Sequence, residues 1–160
     1  MNLMKSTCHW FSDSEYEVLP MRLKVFTDYS LRMLIFLASK PDRRATIAEI
    51  AVAFDISKSH LTKVSHKLGK AGILANIRGK GGGLRLAKEP GEINIGQLVR
   101  ITEGQARTAE CFETDSACRL SLCELRPLLE DAMAAFYAVL DRHTLEDITR
   151  DRGAVSRKPP

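Results

Sequence analysis

Between two short aliphatic runs, Ile73 to Ile77 and Leu84 to Leu86, the chain reads Arg78-Gly79-Lys80-Gly81-Gly82-Gly83. A glycine-rich run of this kind has the backbone freedom to reverse direction tightly. Residues 73–86 are therefore expected to form a β-hairpin with a basic tip. A phosphate-cradling nucleotide loop does not fit the same residues. It would need a helix after the glycines and Ser or Thr after the lysine, whereas a strand pattern follows and Lys80 precedes Gly81.

Three helical patterns precede the hairpin. Leu31, Leu34, Ile35 and Ala38 recur at helical spacing, with Thr27 as the expected N-cap and Pro41 just past the end. Pro41 to Arg44 then reads as a loop, and Thr46 caps a short helix burying Ile47, Ile50, Ala51 and Phe54. Asp55-Ile56 supplies a tight turn, because Asp tolerates left-handed geometry. Ser57 caps a third helix whose inward stripe is Leu61, Val64 and Leu68, and Gly72 ends it. Helix, tight turn, helix and hairpin is the order of a winged helix-turn-helix, whose second helix lies in the major groove of DNA.

After the hairpin, Ile95, Leu98, Val99 and Thr102 mark a further helix capped by Asn94. A longer stripe follows, running through Leu125, Leu128, Leu129, Ala132, Met133, Phe136, Val139 and Leu140. The expected fold is mainly α with a small β-hairpin: a winged helix-turn-helix domain plus a long C-terminal dimerisation helix. In residue ranges this is a disordered extension at 1–20, a DNA-binding domain at 21–102, a cysteine-bearing loop at 103–124, a dimerisation helix at 125–150 and a flexible tail at 151–160.

The charge supports two partners. Residues 22–100 carry fifteen Lys and Arg against six Asp and Glu, a balance of +9, while residues 101–150 carry five against ten, a balance of −5. A basic half of this size suits double-stranded DNA, and the acidic half suits protein contacts or a cationic metal. Ser57, Lys58, Ser59 and His60 fall in the first turn of the third helix, where backbone N–H groups also favour phosphate. Lys63 and Lys67 extend that face, and Arg78, Lys80 and Arg85 on the wing suit a narrow minor groove. There is no run of eighteen apolar residues and no signal-peptide pattern in residues 1–20, so a cytoplasmic protein with no membrane association is expected, its cysteines reduced.

Cys111-x6-Cys118-x4-Cys123 lies in a polar, charged segment. Structural zinc normally shows C-x2-C pairs and four ligands, and neither is present. Spaced single cysteines can instead wrap an iron–sulfur cluster, with a carboxylate, a histidine, a small molecule or water as the fourth ligand. A metal-free thiol switch is an alternative, and an electron-transfer protein is another, although it would not need the basic half. No nucleophile–base–acid arrangement is legible, so an enzyme is not expected.

Met21-Arg22-Leu23, Thr27-Asp28-Tyr29-Ser30-Leu31-Arg32, the segment from Ser57, Arg78 to Leu86, the three cysteines and the stretch from Tyr137 to Ile148 together resemble the Rrf2 family of winged-helix regulators, over residues 21–150. The resemblance is to its nitric-oxide-sensing branch. It implies a homodimeric repressor that releases operator DNA when nitric oxide attacks a 4Fe-4S cluster, with 2Fe-2S as the alternative. The implied ligands are Cys111, Cys118, Cys123 and an aspartate at the start of helix one, contributed by the other subunit; the matching position is Asp28. The IscR-type branch supplies a histidine three residues after the last cysteine, where this chain has Arg126. Iron-responsive, RirA-type regulators share the look of Ala109 to Glu113 but carry asparagine where Asp28 stands, and they are the alternative reading.

Overall fold

Four helices open on the caps that the sequence provides. In the computed structural model, which describes residues 22–40, 44–77, 79, 81–104 and 125–150, α2 (Ile47–Phe54) begins with Thr46 accepting from Glu49 N at 3.2 Å. The Glu49 carboxylate in turn accepts from Thr46 N at 2.6 Å. Ser57 caps α3 (Lys58–Lys70), Asn94 caps α4 (Ile95–Glu103) and Thr144 caps α6 (Leu145–Thr149), each satisfying backbone donors that a helix start leaves open. The Thr46 N–H and hydroxyl hold the Glu49 carboxyl below its ordinary range, and Thr144 does the same for Asp147. The left-handed turn expected at Asp55 is present, with φ of 53°.

α1 (Val25–Ala38) departs from expectation. Thr27 is not its cap: the helix starts three residues earlier, with Lys24 at the cap position and no side-chain cap bond. Thr27 is fully buried, and its hydroxyl donates to Glu103 Oε1 at 2.5 Å. A hydroxyl spent on a contact across the fold is not available to cap its own helix.

The hairpin forms as β2 (Leu74–Ile77) and β3 (Gly83–Leu86), and a two-residue strand, β1 (Arg44–Ala45), joins the far side of β3. The sheet is antiparallel in the order β1-β3-β2, with Arg44 opposite Arg85 and Ala45 opposite Leu84. Arg44 was expected in a loop, since two residues are too few to show strand alternation. Gly83 makes the pairing feasible, because a Cβ there would lie 2.8 Å from the Ala45 carbonyl oxygen.

α1, α2, α3 and α4 converge on one core in which Met33, Leu34, Leu37, Ile50, Leu61, Val64 and Leu68 are fully buried, joined by Leu98 and Val99. The single helix expected over 125–150 is two helices. α5 (Leu125–Leu140) ends, the chain reverses, and the Thr144–Asp147 capping box starts α6. Leu145 N donates to Ile93 O at 2.8 Å and Ile95 N donates to His143 O at 2.9 Å, so the reversal is laced to the entry of α4. Leu145 enters the core with no exposed surface. Truncating it to alanine is expected to cost about 2–5 kcal/mol by removing buried methyl groups and leaving a cavity. Denaturant unfolding would read this, and a change within 0.5 kcal/mol would mean that α6 does not dock as described.

The last turn of α5 is also fixed. Arg100 donates twice to Asp141, at 2.5 and 2.7 Å, and its guanidinium lies 4.3 Å from the Tyr137 ring centroid. The pairing lowers the Asp141 carboxyl from its ordinary value. Gly96 belongs to the same junction, because a Cβ there would collide with the Asp141 carboxylate.

Candidate functional site

The inward stripe of α3 leaves the opposite face to solvent. Lys58, Ser59, His60, Thr62, Lys63, His66 and Lys67 are all exposed, as is Ser57 at the cap. Ser57 Oγ gathers the start of the helix, lying 3.0 Å from His60 Nδ1 and 3.2 Å from Ser59 Oγ. The first turn is thereby ordered without consuming the lysines at 58 and 63. Lys67 is placed differently. Its ammonium lies 5.1 Å from the Phe26 ring centroid and so covers α1.

On the wing, Arg85 projects from the solvent face of β3 while Leu84 and Leu86 point inward. Arg78 and Lys80, at the tip, lie outside the described residues. Arg44 is a residue that sequence reasoning missed. It is exposed, and its register opposite Arg85 puts two arginines on one face of the sheet.

Cys111, Cys118 and Cys123 also lie outside the described residues, and among those that are described no group of three His, Cys, Asp or Glu is placed to hold a metal. Asp28 is described. It stands in the first turn of α1 with its side chain 45% exposed, and Arg32 Nε lies 2.8 Å from its Oδ2. Such a carboxylate can exchange its cation for a metal. An exposed pair one helical turn apart contributes only about 0.3–0.5 kcal/mol, so little opposes the exchange.

Two contacts tie the neighbours of Asp28 on α1 to α3 and α2. The Tyr29 ring lies 5.9 Å from that of His60, and the Arg32 guanidinium lies 5.9 Å from the Phe54 ring centroid at the end of α2. A third contact involves Glu103, which sequence reasoning also missed. It is the last residue of α4, and its carboxylate accepts from Lys24 N at 2.8 Å as well as from Thr27. The signal was available, since an acid in the last turn of a helix opposes that helix's own dipole and calls for an outside partner.

A family model described as "Rrf2: Iron-dependent Transcriptional regulator" matches residues 23–151. The HTH-type transcriptional regulator NsrR of Bacillus subtilis is 45% identical over 135 residues, covering 82% of this chain and 92% of the relative. NsrR of Shouchella clausii is 44% identical over 131 residues, covering 80% and 88%. Among solved structures, CymR, the global cysteine regulator of B. subtilis, superposes with a TM-score of 0.67 at 28% identity, covering 81% of this chain and 97% of that one. T. potens IscR shares the fold, with a TM-score of 0.68 at 24% identity over 82% and 88%. No helix among the described residues is long and apolar enough to cross a membrane. The chain therefore belongs to the Rrf2 family of winged-helix transcriptional regulators, similar within it to NsrR, and is a regulator rather than an enzyme.

Proposed function

We propose that this regulator is a cytoplasmic repressor that binds double-stranded operator DNA as a homodimer and senses nitric oxide through an iron–sulfur cluster. The proposed ligands are Cys111, Cys118 and Cys123 of one copy and Asp28 of the other, and the proposed cluster is 4Fe-4S. The observation that carries this reading is the placement of Asp28: half-exposed, at the positive end of α1, weakly paired, and beside contacts that lead to α2 and α3. Three thiolates and one carboxylate suit cluster iron. When bound, such a cluster supplies one oxygen-ligated iron, more open to a small diatomic ligand than a thiolate-bound iron.

The chain's own residues do the rest. Ser57, Lys58, Ser59, His60 and Lys63 meet the major groove, while Arg78, Lys80 and Arg85 hold the wing to the backbone or minor groove. Residues 21–102 act as the reading head, 103–124 as the cluster loop and 125–150 as the dimerising and docking segment. The apolar start of α5, with Leu125 and Leu128 at 49% and 64% exposure, provides the surface for a second copy.

Anaerobically prepared protein is expected to be brown, to carry about four irons per chain, and to lose operator affinity on titration with nitric oxide. A second reading, an iron-status regulator of RirA type, is favoured by the iron-dependent description of the family. Binding that survives nitric oxide but is abolished by an iron chelator would select it. Binding by a colourless, iron-free preparation would select a thiol switch.

The reading head carries its own test. Lys63→Ala is expected to weaken binding to all sequences alike and to flatten the logarithmic salt dependence by about one unit of slope. Arg85→Ala is expected to weaken binding through the wing. Unchanged operator binding in both variants would put DNA on another surface.

A further inference from the structure

Glu103 is an acid in an unfavourable place. It closes α4, where the helix's own dipole is negative, and it is 8% exposed. What compensates it comes from a segment more than seventy residues away. Lys24 N and the Thr27 hydroxyl both donate to Oε1, at 2.8 and 2.5 Å, and the Lys24 ammonium donates to the Glu103 carbonyl oxygen. The carboxylate thus accepts from the N–H of the residue that precedes α1 and from a first-turn hydroxyl, at the positive end of a helix whose own cap position makes no side-chain bond.

The location gives this contact a consequence. Thr27 directly precedes Asp28, and Glu103 lies eight residues before Cys111, with Gly104 the last described residue before the cysteine segment. One buried carboxylate oxygen therefore fastens the turn that carries the carboxylate candidate ligand to the point where the chain enters the segment of thiol candidates. The same turn touches α3 through Tyr29 and His60.

We infer that Glu103 is a positioning residue that couples occupancy of the cysteine segment to the first turn of α1, and through that turn to the DNA-reading helix. The inference rests on the cluster-sensing reading above. α1 and α4 already share the apolar core, and the Glu103 bonds add a directional polar tie at the end of α4 nearest the cysteine segment. Because both donors converge on a single oxygen, glutamine, which keeps an acceptor there, can replace the function, whereas alanine cannot.

The test compares Glu103→Ala, Glu103→Gln and Thr27→Val with the unaltered full chain, each prepared both iron-loaded and iron-free. Thr27→Val keeps the shape of Thr27 and removes one donor, so it reports even if Glu103→Ala fails to fold. In iron-free protein, hydrogen exchange of the Thr27, Asp28 and Tyr29 amides is expected to quicken by about tenfold in Glu103→Ala and Thr27→Val and to stay near the parent rate in Glu103→Gln. The ratio of operator affinity with and without iron is expected to fall by about fivefold or more in Glu103→Ala, part of the way in Thr27→Val, and not in Glu103→Gln. Iron-dependent affinity in the parent with an unchanged ratio in Glu103→Ala, or in Thr27→Val if the alanine variant does not fold, would overturn the coupling alone. A glutamine variant as impaired as the alanine one would overturn the hydrogen-bond account in favour of charge. A parent chain whose operator affinity ignores iron would overturn the cluster-sensing reading, and the coupling with it.

Discussion

A chain carrying Leu125→Glu and Leu128→Glu is expected to fold normally, to sediment as a monomer, and to bind its operator about 100- to 1000-fold more weakly than the parent. The size follows from avidity, since two linked half-site contacts exceed either one by that order without any new interaction. The expectation of normal folding is local. Both side chains are exposed at the start of α5, whereas the helix is held to its own reading head at the other end, through Phe136, Tyr137, Leu140 and the Arg100–Asp141 pair. Glutamates on the exposed start would put like charges face to face between two copies and leave that anchor untouched. Sedimentation equilibrium and operator titration at one fixed salt concentration measure both halves of the claim. A double variant that remains dimeric would move the subunit contact to another surface.

What the sequence displayed most clearly was local chemistry. Thr46, Ser57 and Asn94 cap the helices they were expected to cap, and Asp55 takes the left-handed turn, because each of these outcomes depends on a few neighbouring atoms. The stripes of α3 and α4 were legible because burial repeats with the helical period. Contacts between distant segments were hidden. Thr27 looked like a cap because nothing in its neighbourhood announces Glu103, 76 residues away. β1 escaped because two residues carry no alternation, and its pairing depends on Gly83 leaving room for it. The apolar stripe ends at Leu140, but the reversal after it escaped because it is enforced by Ile93, Ile95 and the Thr144–Asp147 box, the first two distant in sequence.

The candidate site divides along the same line. The exposed basic face of α3 follows from the stripe on its other side, so Lys58 and Lys63 could be placed in advance. Lys67 could not, because its seat on Phe26 is a tertiary contact. Asp28 was expected in the first helical turn and is there, but its pairing with Arg32, and Arg32's position over Phe54, came only with the fold. Those contacts matter for the proposed switch. If iron took the Asp28 carboxylate, Arg32 would lose its partner while still lying against the end of α2, the first helix of the reading pair.

Two defective chains should repair one another if Asp28 acts across the subunit boundary. Asp28→Ala keeps all three cysteines and lacks the carboxylate; a chain with Cys111→Ala and Cys118→Ala keeps Asp28 and lacks two thiols. Asp28→Ala should not unfold the protein, since a helix-end charge of this kind contributes about 0.3–1 kcal/mol. Homodimers of the first are expected to carry a cluster with altered spectra that is lost faster to a chelator, and homodimers of the second to carry none. In a mixed dimer, the cysteines of the first chain would face Asp28 of the second, and one site would be complete. Differently tagged chains, co-expressed and purified on both tags, are therefore expected to hold half the iron of the parent dimer, with the parent's spectrum, chelator resistance and response to nitric oxide. If Asp28 served the cysteines of its own chain, the same mixed dimer would hold half the iron in a site that looks and decays like that of Asp28→Ala. The two arrangements give equal iron content and opposite spectra, so the spectrum decides between them.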